Sequence, residues 1–274
     1  MELEKKNCTF SYVDVSPSEL FHNTSSTHLA FVLTNFIHIQ KSSLNPTRQF
    51  KDVRGLIRKI KTIDYLIDQI EMNKIGLLAL GYLTRRDMAF ESGKNFLLHY
   101  RIIDKYERSD QRIIINKIDT SIGQLISLAW YSLMLSAFSK QVGSFIRYEK
   151  KEQGIIFLDL LPGDNQDSPK SKLEIIKYLT AQPALKSFFD DAVLYNGIKR
   201  IGYGYGMKNN SIKGLKNDFE FVLTDWIAQS LNCLHNNGLA KDEMEEKRNF
   251  ELSKLAGYLI KKGYLKVISI KLKF

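Results

Sequence analysis

Residues 9–15 read TFSYVDV, and one residue there does not fit its surroundings. Phe10, Tyr12, Val13 and Val15 are the aromatic and β-branched types of a strand. Asp14 places a carboxylate inside it. The same interruption recurs twice. Residues 154–161 (GIIFLDLL) read as a strand with Asp159 near its end, closed by Pro162, Gly163 and Asp164. Residues 218–234 (DFEFVLTDWIAQSLNCL) read as a strongly apolar helix with Asp225 inside it. Carboxylates are rarely buried unless paired, hydrogen-bonded or bound to a metal. Hard divalent cations take oxygen ligands, so aspartates at strand ends and on a helix over the sheet could converge on one ion. Each acid also has a plainer reading. Asp159 can form a turn, and Asp14 can cap the segment that starts at Ser16. Asp225, in mid-helix, has no evident local task.

Working outward, residues 28–39 and 75–83 read as strands, the second ending at Arg85, Arg86 and Asp87. NPT at 45–47 is a turn signal. A helix is expected over 49–73, with Val53, Ile57, Ile60, Ile63 and Ile67 on one face. Lys51, Arg54, Arg58 and Lys61 fall nearly opposite, a basic stripe without interleaved acids. Residues 95–148 show a helical pattern with charged flanks and the long apolar run inside, 170–179 read as helix, and 198–206 as a short strand entering a loop rich in glycine and lysine. A mixed-charge helix is expected over 241–262. At the end, Ile268, Ile270, Leu272 and Phe274 alternate with Ser269, Lys271 and Lys273, the pattern of a lysine-guarded edge strand.

The chain carries 40 basic and 30 acidic side chains, a formal charge of +10. Such an excess favours polyanions through steering and counterion release; its clustering points to nucleic acid ahead of an anionic membrane or an acidic protein. Lys199, Arg200, Lys208 and Lys213 join the 51–61 stripe as candidate backbone contacts. Tyr203 and Tyr205 could stack on bases, or the Gly202-x-Gly204-x-Gly206 run is a plain surface hairpin. Cys8 and Cys233 are far apart and the histidines (22, 28, 38, 99, 235) form no H-x-x-x-H pair, which argues against zinc. Two isolated cysteines suit free thiols in a reducing compartment. Met1 to Lys6 lacks the apolar core of a signal peptide. These readings give a cytoplasmic expectation. Residues 120–139 (TSIGQLISLAWYSLMLSAFS) carry no charge and have the length of a membrane span. Gln124 and the serines favour a helix buried in a domain core. Glu174 and Lys177 fit an exposed helix ion pair.

The order strand-Asp, long insertion, strand-Asp, helix-Asp resembles the ribonuclease-H-like fold. More narrowly, it resembles a prokaryotic family of that fold, common in phages and mobile elements, that opens with Tyr-x-Asp-Glu-Ser-Gly and closes with Ala-Asp-x-x-Ala. Tyr12, Asp14 and Ser16 match the first motif; Asp225 and Ala228 match the second, with Thr224 in place of its first alanine. Val15 stands where the family has glutamate, and Pro17 where it has glycine. The resemblance implies one α/β domain over 1–274, a central mixed sheet with helices on both faces. It would carry a helical insertion at about 95–150 and a helix–strand extension at about 240–274. It also implies a nuclease holding Mg²⁺ or Mn²⁺ through Asp14, Asp159 and Asp225 to cut phosphodiester bonds. The alternative is a catalytically inactive nucleic-acid-binding or scaffold subunit of a larger assembly. A third reading, a membrane-associated protein in which residues 120–139 enter the bilayer, stands behind these two, and no membrane partner is expected.

Overall fold

Alternation along β1 (Cys8–Ser16) sets the architecture. With the two-residue period of a strand, Ser11, Val13 and Val15 lie on one side and Tyr12, Asp14 and Ser16 on the other. Val13 and Val15 belong to one apolar core. Val32 and Ala30, the ladder partners of Asp14 and Ser16, belong to a second. A strand with a core on each face sits inside a sheet. The computed structural model, which describes residues 8–17, 27–39, 63–64, 67–68, 75–149, 153–158, 169–182, 198–203, 218–236 and 242–270, has that arrangement.

β2 (His28–Ile39) runs antiparallel to β1, and β3 (Ile75–Arg85) antiparallel to β2. On the other side of β1, β6 (Gln153–Leu158) lies parallel, followed by parallel β7 (Ile198–Tyr203). β8 (Leu265–Val267) adds parallel to β3. The order is β7-β6-β1-β2-β3-β8, a mixed α/β sheet with β1 near its centre. Helices α1 (Arg86–His99), α2 (Ile122–Glu149) and α3 (Pro169–Thr180) pack into the core containing Val13, Phe31 and Leu33. Helices α4 (Asp218–Asn236) and α5 (Glu243–Lys261) pack into the core containing Val32, Leu77 and Ala79. Helices therefore cover both faces, as expected.

The uncharged run at 120–139 lies mostly in α2, and Leu125, Ala129, Trp130, Tyr131, Met134 and Phe138 are all buried. Its apolar character all round follows from being enclosed on every side. Its serines are satisfied locally: Ser127, Ser132 and Ser136 donate to the carbonyls of Gly123, Leu128 and Ser132. Among the described residues no helix is long and apolar enough to cross a membrane. α1 crosses α2 at Gly93, where a Cβ would meet the Ile126 carbonyl oxygen at 2.4 Å. Only glycine permits that approach.

Three expectations are corrected. The stretch 95–148 is not one helical pattern. α1 begins at Arg86, directly after β3, because Ala89, Gly93, Phe96 and Leu97 form a buried stripe at helical spacing. A hairpin then intervenes: β4 (Arg112–Ile115) pairs antiparallel with β5 (Ile118–Ser121). Its two-residue turn uses Asn116 and Lys117, both at positive φ (49° and 67°), the backbone that lets a tight turn match strand twist. Finally, the strand at the end of the described chain begins earlier than the lysine alternation suggests, and residues 271–274 of that alternation lie outside the described residues. The strand spans Leu265–Val267 at the sheet edge, and Ile268 to Ile270 continue outside it.

Of the helix expected at 49–73, residues 63–64 and 67–68 are described and are helical. Ile63 is buried in the second core and Ile67 packs against it, while Asp64 and Asp68 are exposed. The turn at 45–47 and the stripe residues Lys51, Arg54, Arg58 and Lys61 lie outside the described residues.

Candidate functional site

Tyr12, Asp14 and Ser16 share the β1 face that α4 covers. Tyr12 is paired in register with Thr34 and Phe157, and stacks on the Phe157 ring at 5.3 Å between centroids. Asp14 is half-buried, and its Oδ1 accepts the Val15 amide at 2.7 Å.

α4 is fixed over this face at two points. Thr224 Oγ1 and Thr34 Oγ1 share a buried hydrogen bond of 2.6 Å. Two turns on, Asn232 Nδ2 donates to the backbone oxygens of Ser16 and His28, each at 2.8 Å. Since Thr34 is level with Tyr12, these anchors make α4 run in the same sense as β1. Ala228, fully buried between them, allows the helix to lie close.

Asp225 lies on the stripe that leads to Asn232, at i, i+4 and i+7 with Gln229 between. Asp225 and Asn232 are roughly 10 Å apart along the helix, and Asp14 and Ser16 roughly 7 Å apart along the strand. Because Asn232 touches the Ser16 carbonyl, Asp14 and Asp225 come to within roughly 4 Å of the same level. Asp225 is half-buried and does have a local partner, contrary to expectation: Gln229 Nε2 donates to its Oδ1 at 2.7 Å.

Asp159 lies outside the described residues. The last residue of β6, Leu158, pairs with Val13, the neighbour of Asp14. Val15 is buried in the opposite core. A glutamate there would face α2 and not α4, so Val15 is not a ligand lost from the Asp14 side. Among the described residues no three His, Cys, Asp or Glu side chains gather as a metal cluster. Lys199 and Arg200 lie in edge strand β7, and Lys208 and Lys213 lie outside the described residues. Glu174 and Lys177 form the expected ion pair, at 2.6 Å.

Compared with protein-family models, curated proteins and solved structures, the chain matches none.

One group of residues escaped sequence reasoning. His28, at the start of β2, and His235, in the last turn of α4, have ring centroids 5.9 Å apart. Thr27 Oγ1 and His28 Nδ1 are hydrogen-bonded at 2.9 Å. The Arg86 amide donates to the Thr27 carbonyl at 2.9 Å. Arg85 holds Asp87 through contacts of 3.1 and 2.5 Å. Burial, then His235 and Arg85, push the His28 imidazole below its ordinary value against the opposing pull of Asp87. Arg85 holds the Asp87 carboxyl below its usual range. The only sequence signal was the Arg85-Arg86-Asp87 run after a strand; the two histidines are far apart in the chain.

Proposed function

We propose that this chain is a ribonuclease-H-like protein that cleaves phosphodiester bonds in nucleic acid with Mg²⁺ or Mn²⁺. The observation that carries this reading is that Asp14 and Asp225 stand nearly level on the same side of the sheet, on elements anchored by Thr34–Thr224 and Asn232. The sheet supports it as well. It is mixed and has helices on both faces, as the resemblance implies.

The donor set fits a hard cation. Both carboxylates receive hydrogen bonds from uncharged amides, from Val15 and Gln229. Asp14 and Asp225, with Asp159, which follows Leu158 in the sequence and lies outside the described residues, would hold the ion. Bound there, Mg²⁺ or Mn²⁺ supplies Lewis-acid stabilisation of phosphoryl oxygens. The chain's own contribution is orientation. Asn232 and the threonine pair keep α4 in register, and the backbone and Gln229 amides fix the rotamers of the two acids. The basic stripe Lys51–Lys61 and the 199–216 segment grip the polyanion.

The competing reading is a non-catalytic nucleic-acid-binding or scaffold subunit. The same two amide contacts favour it, since each acid has a partner within its own element. Cleavage of labelled single- and double-stranded DNA and RNA with each metal, beside Asp225→Ala, separates the two. Cleavage that disappears in the variant supports the nuclease. Salt-sensitive binding without cleavage in either protein leaves the scaffold.

A further inference from the structure

We propose that His28 and His235, with Arg85 beside them, form a phosphate-binding rim that takes a phosphodiester group of a nucleic-acid backbone. This rests on the nucleic-acid reading above but not on the aspartates. Four elements meet here: the end of β1, the start of β2, the β3–α1 junction and the last turn of α4. They contribute three groups able to carry positive charge, His28, His235 and Arg85, the ladder partner of His28. The acid they face, Asp87, already engages Arg85 in a two-pronged pair.

The separation of the rings suits an anion. With centroids 5.9 Å apart, the two imidazoles are close enough to flank one phosphate group. A metal cation is disfavoured by the Arg85 guanidinium, whose charge already acts on His28. The charges of His235 and Arg85 oppose protonation of His28, and a docked anion reverses that opposition. The lowered affinity of His28 for its proton, caused by burial, His235 and Arg85, has this origin in part.

The rim is also held in place before any ligand arrives. Asn232 ties Ser16 and His28 together through their backbone oxygens, Thr27 fixes the His28 ring, and Arg86 is joined to Thr27. Ser16 lies two residues from Asp14 on the same β1 stripe. A strand bound at the rim is thereby led toward the carboxylate pair.

The test follows the imidazole rings of the full chain by ¹H–¹⁵N NMR from about pH 5.5 to 8, with inorganic phosphate and then with a single-stranded oligonucleotide. In parallel, oligonucleotide affinity is measured for wild type and for the double variant His28→Gln/His235→Gln. Both ring titrations are expected to move upward with either probe. Wild-type affinity should fall about tenfold between about pH 5.5 and 7.5, the equivalent of one unit of shared pKa change, and less than about threefold in the double variant. Rings that ignore both probes overturn the proposal, as does a double variant with the wild-type pH dependence. A response to inorganic phosphate alone overturns the nucleic-acid assignment. A chain that binds through the rim but never cleaves leaves the rim standing and removes the nuclease. Cleavage with unchanged pH dependence in the double variant does the reverse.

Discussion

The hydroxyl groups of Thr34 and Thr224, 190 positions apart, share a fully buried hydrogen bond of 2.6 Å. Thr224 Oγ1 is also 2.7 Å from the Glu220 carbonyl, one turn earlier in α4. The pair therefore joins the helix carrying Asp225 to the strand beside Asp14. Thr224→Val keeps the shape and removes the hydroxyl. It should cost about 1–2 kcal/mol, and Thr34→Val should add less than its single effect when combined with it. A double-mutant cycle from denaturant melts measures that coupling; strict additivity would show that the two hydroxyls act independently.

Asn232 is the second anchor. Asn232→Leu leaves two carbonyl oxygens, those of Ser16 and His28, without this donor. The expected loss is about 2–3 kcal/mol. Mn²⁺ affinity should fall in the folded variant, because α4 is no longer held level with β1. A variant that is destabilised but binds Mn²⁺ like wild type would assign Asn232 a purely structural role.

Two glycines in helices should respond with opposite signs. Gly93→Ala places a Cβ against the Ile126 carbonyl at 2.4 Å, where backbone must move. A loss of about 1–3 kcal/mol is expected. Gly257, in α5, has nothing within 4 Å of an added Cβ. Gly257→Ala should gain about 1 kcal/mol from helix propensity. Urea midpoints for the two variants check both signs together.

Burial pushes the Cys233 thiol up to about 11 from its usual 9.0. The folded state thus keeps the proton that the unfolded chain releases. Stability contributed by this group is complete below pH 9 and is lost as pH rises toward 11, by about 3 kcal/mol for two units. Cys233→Ala should flatten that alkaline decline. At neutral pH, alkylation mapped by mass spectrometry should reach Cys233 only after denaturant is added; rapid labelling of the native chain would contradict this.

Much of the fold was legible because periodicity reports burial. β1, β2, β3 and helices α3, α4 and α5 lie where alternation or helical spacing placed them, and the uncharged 120–139 run is the enclosed helix that serine content suggested. The hairpin at 112–121 was not legible. Ile113, Ile114 and Ile115 give no alternation, and the turn is Asn116-Lys117, without the glycine that usually marks such a turn. At the candidate site, Asp14 and Asp225 stood out as acids within apolar elements. Their anchors did not, since Thr34, Thr224 and Asn232 gain meaning only when strand and helix are superposed. The His28–His235 rim was invisible for the same reason: sequence spacing shows only pairs within one element, and this pair is made by the fold.

The most direct test of the account is Mn²⁺ binding by calorimetry to wild type, Asp14→Asn and Asp225→Asn. If both acids hold one ion, wild type binds and each variant loses at least about tenfold in affinity, about 1.4 kcal/mol. Wild type that binds no Mn²⁺, or a loss confined to one of the two variants, would contradict a shared site.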